Sequence, residues 1–561
     1  MKKLLSAALL CLASALPALA QKAVTNLTNN SEYDGLTAAI NAAASGDVLQ
    51  INQNIDLNTT INPGAKEITL QGANQNITVK IGKNSKDVIP VVFNINSTGA
   101  CHIKDITFDM STDESTTNFI QQTNGSLSIE NVTVKDFTTS ATNGAIRLYN
   151  SPVSTTIDNL TFANCSFPGT AHYNILIATA SSYPIIKGKC DFTVRLNNTD
   201  ASFCDGGITS NSQVGISYSS HTESVPVVKD CDDIFKFNLN VADKMLSPKE
   251  NSLYAVNKAN ILLINDVDGV KTGTGYSALA GSAGAATNAT TGAVIVVNEN
   301  VNLTTSMNFA GKSIEIRGAK PDVAITLAAD RALANAAAAD THIDIRDLAI
   351  TPQAELAYTS FIAQATTSDA SVSFQNVTFK DCNTTNAALI RANAGGVWHI
   401  DGVTFENCSV TPASKADGTE VTPLVLTNNP GCSVSGINNG LTIQVNNAGT
   451  NSIDAQGLEA GNEPIILTLS GAAHDHTLIT NCENLSLFEI TNSGWSFQAD
   501  EQGGLKTLDR QIVTGVEEVA AEADGEAEYF DLRGVRVNAE ALTPGLYICR
   551  KGGKVSKTVI R

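Results

Sequence analysis

The chain says nearly the same thing twice, and that duplication restricts its fold more than any other feature. The stretch Gly46 to Leu57 (GDVLQINQNIDL) returns at Gly292 to Leu303 (GAVIVVNENVNL), and Thr156 to Ser166 (TIDNLTFANCS) returns at His399 to Ser409 (HIDGVTFENCS). A residue that the fold needs should stand in both copies. A residue unique to one copy has to be explained by something else.

Within each copy runs a finer repeat. Ile103–Phe108, Ile129–Val134 and Ile157–Phe162 share one pattern with Ile345–Ile350, Phe374–Phe379 and Ile400–Phe405. Each reads apolar, polar, Asp/Asn/Gly, apolar, small, apolar. The last three positions alternate as in a half-buried strand, and Asp, Asn or Gly bends the chain just before them. Within a copy the segments recur every 26 to 29 residues. A near-constant period of this length signals stacked units that cannot bury their faces alone. The pattern predicts an all-β chain of two tandem right-handed parallel β-helix modules, with a small C-terminal β-sandwich-like domain. An antiparallel sandwich would also give alternating strands, but not the constant repeat.

Each copy opens with a candidate cap. Leu36 and Ile40 lie four apart within residues 34–45, with Ala39 and Ala43 on the same face, so a short helix there can cover the open end of the coil. Residues 277–290 hold a weaker counterpart, and Asp266 to Gly275 reads as a linker. The divisions expected are a signal peptide at 1–20, module one at 21–275, module two at 276–510, an acidic linker at 511–528 and a C-terminal domain at 529–561. The leader is read from Lys2 and Lys3, the apolar run Leu4 to Leu16 and the small-residue site Ala18-Leu19-Ala20. No later stretch approaches a membrane span.

Composition narrows the partners. Of 561 residues, 42% are hydrophobic and only 16% charged, and the net charge is −19. An acidic surface repels phosphate backbones, so no nucleic acid partner is expected. Ten cysteines follow the leader. Their spacing is not that of a disulfide scaffold, and Cys382 stands where the first copy has Phe137. Buried apolar cysteines account for that, although an exported chain can also form disulfides.

The opening "GLTAAINAAASGDVLQI" followed by "EITLQGA" resembles right-handed parallel β-helix proteins of the pectin-lyase-like fold. The elements "NGAIRLYNS" and "FANCSF" resemble repeats of polymorphic outer-membrane and adhesin-like β-helix proteins. The tail, with Tyr529-Phe530-Asp531-Leu532-Arg533-Gly534-Val535, then Pro544-Gly545-Leu546-Tyr547 and a Lys-rich end, resembles the C-terminal sorting domain of the type IX secretion system of Bacteroidetes. Phe530 is an insertion relative to that pattern. These resemblances imply a secreted or outer-membrane-surface protein that engages export machinery through its C-terminal domain.

Proteins of this fold often act on polysaccharide, so carboxylate pairs and basic residues deserve a search. Asn198-Thr199-Asp200 with Asp232 and Asp233 resembles the start of a polygalacturonase pattern. The Gly-His-Gly and Arg-Ile-Lys elements are absent, and the second copy has Asn447-Ala448-Gly449 and Glu483-Asn484 in the matching places. Arg147 and Arg391 match between copies and are candidate lyase bases, or partners for a carboxylate on the coil face. His474-Asp475-His476 has metal-like spacing with no third ligand nearby, and Asp266-Val267-Asp268-Gly269 is only half a calcium loop. No metal or other cofactor is expected; calcium would need ligands that the sequence does not supply. The expectation is a non-catalytic adhesin or glycan-binding scaffold, its partner an extracellular polysaccharide or a host surface glycan or protein. The alternative is a polysaccharide lyase or glycoside hydrolase with a divergent site.

Overall fold

The computed structural model describes residues 22–510 except 89–90, 111–113, 116, 140–143, 150–152, 168–172, 181–182, 355–360, 394, 411–423 and 429–431, and residues 527–560 except 552–553. The leader and nearly all of the acidic linker lie outside these residues, as does His172. The chain is all-β, a parallel solenoid of about 15 turns. It forms two compact units that divide between Gly275 and Tyr276.

The six repeated segments stack in register and in parallel. In the first unit Ile129 pairs with Ile103 and Ile157, and Val134 with Phe108 and Phe162. In the second, Phe374 pairs with Ile345 and Ile400, and Phe379 with Ile350 and Phe405. Inward apolar residues therefore stand above one another along each unit. Phe93, Phe108 and Phe119 meet at centroid distances of 5.1–5.7 Å, and Phe379 and Phe405 stack at 4.9 Å.

The Asp/Asn/Gly position is a left-handed corner. Asp105, Asn131 and Asn159 have φ of 57°, 52° and 51°; Asp347, Asn376 and Gly402 have 56°, 53° and 61°. Asn and Gly tolerate this region better than other residues because a short polar side chain, or none, avoids the clash with the carbonyl. The corner side chains also bond up the stack. Asn131 donates to Asp105 at 3.1 Å, Asn159 to Asn131 at 3.0 Å, and Asn376 to Asp347 at 3.2 Å. Beside the first corner residue of each unit stands a glycine. A Cβ on Gly72 would lie 2.1 Å from the Asp105 carbonyl oxygen, and one on Gly318 the same distance from that of Asp347.

Each unit has a second parallel face of seven short strands. In the first unit these are Phe93–Ile95, Ile120–Gln122, Ile146–Tyr149, Ile175–Ala178, Thr193–Leu196, Val214–Tyr218 and Phe237–Leu239. In the second they are Ala334–Ala336, Ala363–Ala365, Ile390–Ala392, Val425–Thr427, Thr442–Val445, Ile465–Leu469 and Phe488–Ile490.

The stack is closed by non-parallel elements, which protect sheet edges from further pairing. Helix Leu36–Ala42 buries Leu36, Ala39 and Ile40 at the start of the first unit, as its spacing predicts. The counterpart in the second unit is a single turn, Ala285–Asn288. After its last coil each unit has a short 3-10 turn, then a hairpin pairing antiparallel to that coil. These are Lys244–Lys249 with Ser252–Asn257, and Trp495–Ala499 with Leu505–Asp509. The expected linker at 266–275 is instead the return arm of a hairpin, strands Ile261–Val267 and Val270–Tyr276. Its turn holds Asp268 at φ 55° and Gly269 at 80°, the two left-handed positions that a two-residue hairpin loop demands.

In the tail, Arg536–Val537, Glu528–Phe530, Gly545–Lys551 and Lys554–Ile560 form, in that order, one antiparallel sheet. Among the described residues the expected sandwich-like domain is thus a single four-stranded layer.

Candidate functional site

The carboxylates singled out in the sequence are each committed to local structure. Asn198 accepts from the Asp200 backbone N–H at 3.1 Å, making a tight turn, and the Asp200 carboxylate accepts from the Thr222 hydroxyl at 2.7 Å. Asp233 caps the 3-10 turn Ile234–Lys236, accepting from the Phe235 N–H at 3.0 Å. Asn484 does the same for Leu485–Leu487 by accepting from Ser486 N–H at 3.1 Å. A capping acceptor need not be acidic, so Asp and Asn interchange there. Asp232 is paired with Lys271 at 3.1 Å.

The histidine motif also has a structural explanation. His474 accepts from the Asp509 N–H at 3.1 Å, while His476 contacts the Asn451 carbonyl at 2.7 Å, so the two rings serve different neighbours. Asp266 accepts from Gly269 N–H at 2.9 Å within the hairpin turn. Among the described residues no group of three or more His, Cys, Asp or Glu is placed to hold a metal ion. Trp398 is buried in the coil, whereas Trp495 is partly exposed on the closing hairpin.

Arg147 and Arg391 behave differently. Both lie on the outward row of a seven-stranded face, in matching company. In the first unit the row runs Asn94, Gln121, Arg147, Leu176, Arg195, Ser217. In the second it runs Asn335, Gln364, Arg391, Leu426, Gln444, Thr468. The first four positions are identical in type: Asn, Gln, Arg, Leu.

Each guanidinium lies over an aromatic ring, Arg147 at 3.9 Å from the Tyr149 centroid and Arg391 at 4.3 Å from that of Phe361. Arg195 lies 5.5 Å from the centroid of Tyr173. Stacking on a ring face leaves the guanidinium edge directed outward for planar acceptors. Arg391 also donates to the Gln364 side chain at 2.8 Å, and Gln364 donates onward to Asn335 at 3.0 Å. Among the described residues the Nε of Arg147 and of Arg391 are buried without a hydrogen-bond partner, as is the Asn94 side-chain oxygen.

Among the described residues neither Arg147, Arg195 nor Arg391 pairs with a carboxylate, unlike Arg317 and Arg346 on the other face, which share Glu315. Burial lowers the pKa of Arg391, and it raises that of Tyr173 against the opposing pull of Arg195 and Arg147. The sequence exposed the two arginines through their matching positions. It did not expose Asn94, Gln121, Tyr173, Arg195 or their counterparts, although the coil period applied to the outward residues would have found them.

No protein-family model and no curated protein matches this chain.

Proposed function

We propose that this protein is an exported, non-catalytic solenoid scaffold that binds acidic polysaccharide along its two seven-stranded faces. The observation that carries the reading is the Asn-Gln-Arg-Leu row, present in both units, with ring-stacked guanidiniums that no carboxylate among the described residues neutralises. A half-buried cation costs desolvation energy, and a uronate or sulfate group would offset it through charge-assisted hydrogen bonds. The flanking amides Asn94, Gln121, Asn335 and Gln364 suit sugar hydroxyls, and a regular row suits a repeating ligand. Export rests on the leader-like start and the sorting-like tail. Asp200, Asp232 and Asp233, tied up as acceptor for the Thr222 hydroxyl, ion pair and cap, support a binding role over hydrolysis.

The test is a panel of polygalacturonate, alginate, chondroitin sulfate and neutral glucan, read for both binding and released products. Binding to the acidic members, weakened about ten-fold or more by Arg147→Ala or Arg391→Ala through loss of a charge-assisted contact, is the expected result. Unsaturated or reducing sugars appearing in the supernatant would favour the lyase or hydrolase alternative instead. Equal retention on neutral glucan would remove the role given to the arginines.

A further inference from the structure

A second corner of the solenoid, after the repeated Val-Thr-Phe strands, carries paired chemistry in one unit only. In the second unit Lys380 pairs with Glu406 and Asn383 with Ser409, so Cys382 and Cys408, between them, face each other across adjacent coils. The flanking side chains tie the coils together at the same place. Asn407 donates to Asp381 at 3.2 Å and Ser409 to Asn383 at 2.5 Å. Each thiol lies near the carbonyl two residues before it and a carbonyl of the preceding coil. For Cys382 these are Lys380 and Ile350, both at 3.5 Å; for Cys408 they are Glu406 at 3.5 Å and Phe379 at 3.3 Å.

The first unit supplies the comparison. Its corner has the same left-handed Asp136 and Asn164, at φ 54° and 53°, and Cys165 bonds like Cys408, to Val134 and Ala163 carbonyls at 3.3 and 3.4 Å. Its neighbour on the adjacent coil is Phe137, not a thiol. Fold alone therefore asks for one apolar residue and one small one. The second thiol at Cys382 is not required by the corner.

We propose that Cys382 and Cys408 form a disulfide that staples two adjacent coils of the second unit. In-register residues on neighbouring parallel strands lie about 4.8 Å apart, within the Cα separation of about 4.4–6.8 Å that a disulfide spans. The two cysteines differ in access: Cys408 is partly exposed and Cys382 is buried.

That difference orders the exchange. The neighbouring Cys382 thiol holds the Cys408 thiol below its ordinary range, and Cys382 is pushed up by Cys408 and by burial. The Cys408 thiolate attacks a low-molecular-weight disulfide such as oxidised glutathione, releasing one thiol and leaving a mixed disulfide on Cys408. Cys382 then loses its proton and attacks the Cys408 sulfur, expelling the second thiol. Two protein thiols are oxidised and one disulfide is reduced to two thiols. An exported chain meets such oxidants outside the reducing cytoplasm.

The experiment takes the reduced full-length protein, exposes it to oxidised glutathione, alkylates remaining thiols after unfolding, and maps peptides by mass spectrometry. A Cys382–Cys408 linked peptide lighter by two hydrogens, reversed by dithiothreitol, is expected, with Cys165 still alkylatable. In Cys382→Phe, which gives Cys408 the phenylalanine neighbour that Cys165 has in the first unit, Cys408 should form no protein disulfide and stay alkylatable as Cys165 does. Full alkylation of both residues after oxidation, or Cys408 linked to any other cysteine, would overturn the proposal.

Discussion

Replacing Asn131 isolates the corner ladder that sets the coil. The residue sits at φ 52°, donates to Asp105 and accepts from Asn159. Alanine removes both side-chain bonds, each worth about 0.5–1 kcal/mol at this partly exposed position. It also places a Cβ in the left-handed region without the local bonding that eases Asn there, at about 1 kcal/mol. The total is about 2–3 kcal/mol, a fall of about 30- to 160-fold in the local closing constant. Glycine loses the same bonds and some chain entropy, but escapes the Cβ clash, so Asn131→Gly should cost less than alanine, by under about 1 kcal/mol. Gly402 occupies the next corner of the same ladder in the second unit, the one matching Asn159, which shows that such a corner accepts glycine.

A chain of two units need not unfold in one step, so a global melting curve is the wrong assay. Hydrogen exchange read on peptides covering Ser126–Lys135 and the strands on either side reports the local opening directly. Protection should fall most for alanine, less for glycine, and little in the second unit. Equal loss for the two variants would refute the left-handed argument, and no loss in either would refute the ladder.

Other tests address the core, the close contacts and the charges. Phe108→Ala opens a hole beside Phe93 and Phe119 and should cost about 3–5 kcal/mol, read as exchange in the first unit. Gly72→Ala and Gly318→Ala drive a Cβ into a carbonyl 2.1 Å away and should sharply reduce soluble yield. Gly82→Ala, whose nearest neighbour would be 4.0 Å away, should change stability by less than about 0.5 kcal/mol. Asp205 is buried, and burial opposes its ionisation. Hydrogen bonds from Ile208 N–H, the Cys231 thiol, Lys236 at 2.9 Å and Gly207 N–H outweigh that and lower its pKa. The stability it adds is full above the unfolded carboxyl value of about 3.9 and is lost as pH falls through the lower folded value. Asp205→Asn should therefore flatten the acid limb of first-unit stability, and an unchanged acid titration would contradict this.

The parallel stack was legible because its signal is local and repeated. The Ile-x-Asn-Val-Thr-Phe pattern encodes both the inward alternation and the left-handed corner, and recurrence in six places separates it from chance. Helix Leu36–Ala42 was equally readable from its apolar spacing. Single motifs fared worse. Asp266 to Gly275 looked like a linker because Asp and Gly mark any turn, but the sequence does not say that strands flank the turn and pair.

The sequence by itself determined the coil: which residues face in, where the chain bends, and that two like units follow one another. Only the tertiary structure decided which outward residues meet. Arg147 reaches its row through Gln121 and Leu176, and Cys382 reaches Cys408, because successive coils stack in register despite unequal loops. Inward positions are fixed by burial, whose pattern is written along the chain. Outward neighbours lie a whole coil apart, and their contact depends on how each loop closes, which no local pattern records.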